Sequence, residues 1–210
     1  SFPLKYGYAA VGEVVACGPE VDEAWLGRDV FSFQPHQTDF TTPTSRIIRL
    51  PDGISREGAT FLPNMETAVN FVMDGRPLIG ERVAVFGQGI VGLLTTALLA
   101  RFPLSALISL DRYPNRRQAS RQVGADITHD PTEEGVLQTM RGQDGVDLAY
   151  KLSGNPAGLV DALEVVGFAG RVVIGSWYGQ KRTDLNLGGR FHRSRIRLIS
   201  SQVSTLAPEL

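Results

Sequence analysis

The chain has 210 residues, enough to bury a full core, with 42% hydrophobic residues and a net charge of −1. A balance so close to neutral, with no long run of one sign, suggests neither nucleic acid nor an anionic membrane as a partner. One cysteine, Cys17, excludes an intrachain disulfide framework and a multi-cysteine zinc lobe; with no signal-peptide pattern and no bilayer-length apolar stretch, the expected compartment is a reducing cytoplasm.

Residues 1–50 predict short antiparallel strands. Gly7 to Val15 is β-rich, with glycines that permit sharp bends; Gly18-Pro19-Glu20 and Gly27-Arg28-Asp29 are turns, and Val30 to Phe33 is a strand. Phe40 to Thr44 and Arg46 to Leu50 read as two more strands, ended by Pro51-Asp52-Gly53. Ser55 caps a short helical run through Ala59 to Leu62, and Asn64 to Met73 is an amphipathic helix.

Strand and helix then alternate. Val83 to Phe86 is a buried strand that runs into Gly87-x-Gly89-x-x-Gly92, and Ile90 to Ala100 is a buried helix. Gly87 makes the tight turn, Gly89 lets a pyrophosphate approach the backbone, and Gly92 brings the helix close to the sheet. The helix's free amides and dipole then face the phosphates. A second strand, Ala106 to Leu110, ends in Asp111, whose carboxylate accepts hydrogen bonds from ribose hydroxyls. In this order the elements predict a dinucleotide site.

The pattern continues with a helix from Pro114 to Val123, a strand at Ala125 to Thr128 and a helix from Thr132 to Met140. A fourth strand, Val146 to Ala149, leads to a helix opened by Asn155-Pro156 that runs to Val166 and stops at Gly167. Arg171 to Gly175 and Ile196 to Ser200 complete six strands. The fold class is α/β: an open parallel sheet, doubly wound, with the ligand at the carboxyl ends of the strands.

This order resembles the medium-chain dehydrogenase/reductase superfamily, the zinc-type alcohol dehydrogenases and their relatives. The stretches that carry the resemblance are Gly7 to Val15, Gly27-Arg28-Asp29-Val30, Arg49-Leu50-Pro51-Asp52, Gly80 to Val83 with the glycine fingerprint, and Gly170 to Gly175. It implies a partial GroES-like β-barrel catalytic domain with its connecting helix over 1–75, a Rossmann domain over 76–202, and a return segment starting at 203–210. On that reading the chain is a piece of a longer protein. The resemblance also implies a homodimer joined along the sixth strand.

Zinc-bearing members have Gly-His-Glu where this chain has Gly7-Tyr8-Ala9, and a third ligand position falls near Pro63. No cysteine lies between Gln34 and Phe40, where the structural zinc lobe would follow. The expectation is a member without catalytic zinc, with no metal-ligating residue in this chain. NAD is the expected cofactor, with NADP the alternative: Asp111 opposes a 2′-phosphate, while Arg112, Arg116 and Arg117 pull the other way, Arg117 with a solvated helix face as its alternative. The resemblance adds Thr67 against the nicotinamide ring and, with the fingerprint residues Gly87, Gln88, Gly89, Ile90, Val91 and Gly92, places Ser153, Gly154, Gly175, Ser176 and Ser201 along the cofactor.

Three residues are candidates for chemistry. Tyr8 is either a phenol that hydrogen-bonds an oxyanion or a tyrosine filling vacated space; His36 is a proton relay or an exposed loop histidine; Glu66 is an acid/base group or a bland helix position. Trp177 is a lid or mere loop surface. The basic cluster Arg190, His192, Arg193, Arg195 and Arg197, with Lys181 and Arg182, reads as a solvated connection before the sixth strand, with a phosphate or nucleic-acid surface or a contact for an anionic substrate group as the alternative. Asp126, His129 and Asp130 read as an ordinary surface turn. The expected activity is hydride transfer between nicotinamide and an alcohol/carbonyl pair. The alternatives are NADPH-dependent reduction of an activated C=C bond, as in quinone and enoyl reductases, and a dinucleotide-binding protein without catalysis.

Overall fold

The computed structural model describes residues 5–142, 144–203 and 205–206. The chain divides into two compact units, Ser1–Pro63 and Asn64–Leu210. The expected return segment, 203–210, lies largely outside the described residues. Among them, no helix is long and apolar enough to cross a membrane.

In the first unit, strands β1 (Ala10–Glu13), β2 (Asp29–Ser32) and β3 (Ile47–Arg49) form an antiparallel sheet in that order. Phe31 pairs with both Val11 and Ile48 and is fully buried, with Phe33 edge-on to its ring. The strand expected at 40–44 does not form. Pro43 has no N–H to give a ladder; its carbonyl instead accepts from Arg46 N at 2.9 Å and opens a 3-10 turn, Thr44–Arg46. Helix α1 (Arg56–Ala59) starts as predicted, with Ser55 Oγ accepting from Gly58 N at 3.0 Å, and ends before Leu62. Arg56 reaches Glu13 at 2.8 Å and Asp29 at 2.6 Å, tying α1 to β1 and β2.

Helix α2 (Leu62–Gly75) leads into a unit built of β4 (Arg82–Phe86), α3 (Ile90–Leu99), β5 (Ala106–Leu110), α4 (Pro114–Gln122), β6 (Ile127–His129), α5 (Val136–Gly142), β7 (Val146–Lys151), α6 (Gly158–Val165), β8 (Val166–Ile174) and β9 (Arg197–Ser200). The six strands are parallel, in the order β6-β5-β4-β7-β8-β9. Chain direction across the sheet therefore reverses between β4 and β7, which opens a crevice at their carboxyl ends. Alternation along each strand feeds two cores. Ala84, Phe86 and Ala149 pack with Leu159 and Leu163 of α6, while Val83, Val85 and Leu148 pack with Phe71 of α2 and Leu99 of α3.

Two helix boundaries depart from expectation for local reasons. Thr132 N and Oγ1 both donate to Asp130 Oδ1, at 2.9 and 2.6 Å, and Gly135 has φ +83°, so α5 starts at Val136 and not at Thr132. Gly167 does not stop α6 by a left-handed turn. The helix gives way at Val166 directly to β8, and Gly167 is needed for close approach: a Cβ there would stand 2.5 Å from Asp144 O. Pairing with β7 shifts register between Val146 and Leu148, and Ala169, at φ +57°, lies in the extra length of β8.

At the start of the sheet Arg171 forms a two-pronged pair with Glu81 (2.7 and 2.8 Å) and donates to Gly75 O and Arg76 O. Burial works against the Glu81 charge, but hydrogen bonds from Arg171 and from Leu78 N outweigh it and hold the carboxyl below its ordinary 4.5. A carboxyl depressed in the folded state contributes stability above its unfolded value and loses it as pH falls through the folded one. Arg171→Ala leaves this carboxylate buried and unpaired. It is expected to lower unfolding stability by about 3–5 kcal/mol at neutral pH, with a smaller deficit in acid, as read from urea denaturation at both.

Candidate functional site

Strand β4 delivers the chain to Gly87, whose φ is +97° and whose added Cβ would lie 2.7 Å from the backbone of Ser153. No side chain fits there. At Gly92 an added Cβ would lie 1.9 Å from Gly87 O, so α3 leaves the turn with its backbone packed on the turn itself. Gly89 differs: a Cβ there meets nothing within 4 Å, and the outer face of the turn is open. The Gln88 side chain does not plug it. It is fully buried, donates Nε2 to Val85 O at 3.3 Å and accepts from Thr96 Oγ1 at 3.1 Å. The first full-turn bond of α3 is Leu93 N to Gly89 O; the amides of Ile90, Val91 and Gly92 precede it, and no side chain caps the helix. This open, amide-rich face suits an anion.

Asp111 closes β5 and is 7% exposed. Its Oδ2 accepts from Gln88 N at 2.8 Å and its Oδ1 from Tyr113 N at 2.9 Å, so the carboxylate is turned toward the glycine turn. Each oxygen keeps accepting capacity beyond these single bonds. Arg116 Nη1 stands 3.7 Å from Oδ2. The guanidiniums of Arg112 and Arg116 lie 4.7 and 4.9 Å from the Tyr113 ring centroid, and Arg112 also donates to the Tyr113 hydroxyl. Arg117 is neither a free counter-charge nor a solvated helix face. It donates to Asp111 O at 2.8 Å and Asp130 Oδ2 at 3.1 Å, and locks the ends of β5 and β6 together. Asp126 is likewise structural, accepting from Leu107 N at 2.7 Å.

The carboxyl ends of β7 and β8 meet the same turn. Leu152 N donates to Phe86 O, Gly175 N donates to Lys151 O, and Ser176 Oγ donates to Ser153 O at 2.7 Å. Gly175 is pressed on Phe71 of α2, where a Cβ would stand 2.3 Å from the ring. Thr67, one helical turn before Phe71, shares that side of α2, while Glu66 beside it is exposed. Ser201 donates its N–H to Ile174 O and its hydroxyl to Asp74, and Asn70 donates to Ser201 Oγ at 3.2 Å and Gln202 O at 3.0 Å. Gly154 is exposed, and so is Trp177, at 87%.

Sequence reading missed Lys151. It ends β7 at 1% exposure and donates Nζ to Ser153 O at 2.7 Å. Burial, with the charge of Lys181 adding to it, pushes its pKa down to about 8. The available signal was a lysine closing an otherwise mostly apolar strand, VDLAYK.

In the first unit the His36 ring lies where a Gly7 Cβ would be, edge-on to Tyr6, and His36 N donates to Tyr6 O at 2.7 Å. Tyr8 is 61% exposed and so does not fill a core space. Among the described residues no three His, Cys, Asp or Glu side chains gather as a metal site would need.

The glycines differ enough to test. Gly92→Ala is expected to cost at least about 1–3 kcal/mol of stability, the range for forced overpacking. Gly89→Ala, at φ −72° with free space, should melt close to wild type by calorimetry.

Residues 91–209 match the profile of the zinc-binding dehydrogenase family. The chain is 25% identical over 205 residues to D-guloside 3-dehydrogenase of Escherichia coli K12, covering 95% of this chain and 59% of that protein. It is 29% identical over 219 residues to L-threonine 3-dehydrogenase of Pyrococcus horikoshii, covering 88% and 62%. A solved zinc-binding dehydrogenase of provisional assignment from Sinorhizobium meliloti 1021, bound to NADP, superposes with a TM-score of 0.82 at 19% identity, covering 97% of this chain and 70% of that one. The chain thus spans about three fifths of the length of these curated relatives. With its six-stranded doubly wound sheet and glycine turn, the chain belongs to the zinc-binding dehydrogenase family.

Proposed function

We propose that this chain is the cofactor-binding part of a NAD(P)-dependent oxidoreductase that interconverts an alcohol and a carbonyl on a small hydroxylated substrate. The observation that carries the reading is the open glycine turn with the Asp111 carboxylate bonded to it. The two curated relatives are dehydrogenases of a sugar derivative and of a hydroxy amino acid, which supports a hydroxylated substrate. When bound, the nicotinamide accepts or returns the hydride.

The chain's own residues bind and orient. The Ile90, Val91 and Gly92 amides take the diphosphate, Gln88 supports the turn from beneath, and Asp111 takes the adenosine ribose hydroxyls beside Arg116, with Arg112 at the rim. Ser153, Gly154, Gly175 and Ser176 line the nicotinamide half, Thr67 stands on α2 behind the ring, and Ser201 serves through its place at the end of β9. Asp111 repels a 2′-phosphate, so NAD is preferred to NADP. Tyr8 and His36, on neighbouring segments of the first unit, are the groups assigned to exchange a proton with the substrate oxygen, and Glu66 is the third candidate.

Catalytic zinc does not fit the donors present. A phenol and a methyl, Tyr8 and Ala9, stand where imidazole and carboxylate would, and Pro63 offers no ligand atom. No step is assigned to a metal. A homodimer is expected to form along the β9 edge.

Asp111→Ala should weaken NADH binding by about tenfold or more, since hydrogen bonds to a charged acceptor are worth roughly 1.5–3 kcal/mol each. It should weaken NADPH less. Fluorescence titration of both cofactors in the full-length protein measures this, and an unchanged NADH-to-NADPH ratio removes the ribose assignment. NAD reduction with a panel of polyols, hydroxy acids and secondary alcohols is expected. Enone reduction with NADPH in its place would move the enzyme to the C=C-reducing class, and binding without any turnover to a non-catalytic role. Stoichiometric zinc in the purified full-length protein would overturn the zinc-free assignment.

A further inference from the structure

Lys151 has no place in the reading above, yet it is an internal cation at the ligand end of the sheet. In register with Phe86 on one side and Ile174 on the other, it ends β7 beside the glycine turn. Its stem passes the start of α6, where a Cβ on Gly158 would stand 3.7 Å from Lys151 Cε and 2.7 Å from Ser153 Oγ. The ammonium donates to Ser153 O at 2.7 Å and lies 4.3 Å from the centroid of the Tyr178 ring. Among the described residues the buried Tyr178 hydroxyl finds no hydrogen-bond partner, so the ring is held by packing and by this cation. Ser153 O is thereby a hub: it accepts from Lys151 Nζ and from Ser176 Oγ, while Lys181 Nζ reaches Gly154 O at 3.2 Å. The backbone of Ser153 in turn abuts Gly87.

A charge held this way is costly. No carboxylate among the described residues pairs with Lys151, and the amino end of α6 presents its positive dipole. The titratable groups on the elements around it are Tyr178 and Lys181 after β8 and Asp161 in the first turn of α6; β4 and β8 present Phe86 and Ile174. What is missing around it, among the described residues, is a paired carboxylate.

We propose that Lys151 is a positioning residue for the dinucleotide, holding the Ser153–Gly154 turn against Gly87 and clasping the segment after β8 through the Tyr178 ring. This rests on the dinucleotide reading of the same site. Only the ammonium makes both contacts well, since a neutral amine has no cation–π attraction. Burial brings loss of its proton to about pH 8, so the clasp is present below that pH and fails above it. A dinucleotide bound to the clasped turn favours the charged form, so cofactor binding near pH 8 takes up a proton.

The test is NADH titration of the full-length protein between about pH 6.5 and 9.5. Wild-type affinity should fall about three- to tenfold across this range, centred near 8, as expected for a single linked proton. Lys151→Met should bind about three- to tenfold more weakly at the acid end and show no such pH dependence, while melting at or above wild-type temperature because a desolvated charge is gone. Lys151→Arg, which keeps its charge, should recover affinity and stay flat to the alkaline end. Tyr178→Leu should weaken binding and move the midpoint. Wild-type affinity and pH profile in Lys151→Met would overturn the proposal and leave the dinucleotide site standing; a wild-type protein that binds no dinucleotide would overturn both. Should Lys151→Met fail to fold, calorimetry of wild-type binding at pH 8 in two buffers of different ionisation heat decides: proton uptake supports the proposal, and none overturns it.

Discussion

The ligand end of the sheet depends on one carboxylate. Asp111 is buried, and a buried charge is tolerated only when hydrogen bonds replace its water. Its two donors are backbone amides from different strand-to-helix turns, Gln88 after β4 and Tyr113 after β5. The bond therefore fixes the glycine turn relative to the neighbouring strand without any ligand. Around it the backbone is wedged by contacts that only glycine allows, Gly87 on Ser153 and Gly92 on Gly87 O. The turn is shaped in advance, and an anion meeting it has little ordering left to do.

The zinc-binding dehydrogenase family is named for a metal, and among the described residues of this chain no three His, Cys, Asp or Glu side chains gather to hold one. The dinucleotide side and the metal side of such a protein are physically separable: one is made by a strand order and glycine geometry, the other by a few side chains. A family can keep the first while the second drifts. That separation is why the glycine turn and Asp111 speak clearly here, and why Tyr8, His36 and Glu66 carry so much less.

Most of the sheet was legible because its signals are local. Apolar β-branched runs stop at glycines, and helices begin at Ser55 and Pro114 as capping chemistry requires. The failures are also local, but turn on competition. Residues 40–44 have strand-forming side chains, yet Pro43 removes the donor and its carbonyl prefers the 3-10 turn. Asp130 takes the Thr132 amide before α5 can. Gly167 looks like a helix stop and is in fact a point of backbone contact. Partners far apart in sequence could not be read at all: Arg117 seemed a surface cation until Asp130 was placed beside it, and Lys151 needed the Tyr178 ring.

Asn70 and Asp74 lie early in the second unit, and the residues they grip, Ser201 and Gln202, close it 131 and 132 positions after Asn70. A chain emerging from the ribosome makes α2 long before its tether exists. Non-local closure of this kind is slow and comes last. Until it happens, the helix that bears Thr67 has no anchor at the far edge of the sheet, and it is held by the packing of Phe71 on Val83, Val85 and Leu148.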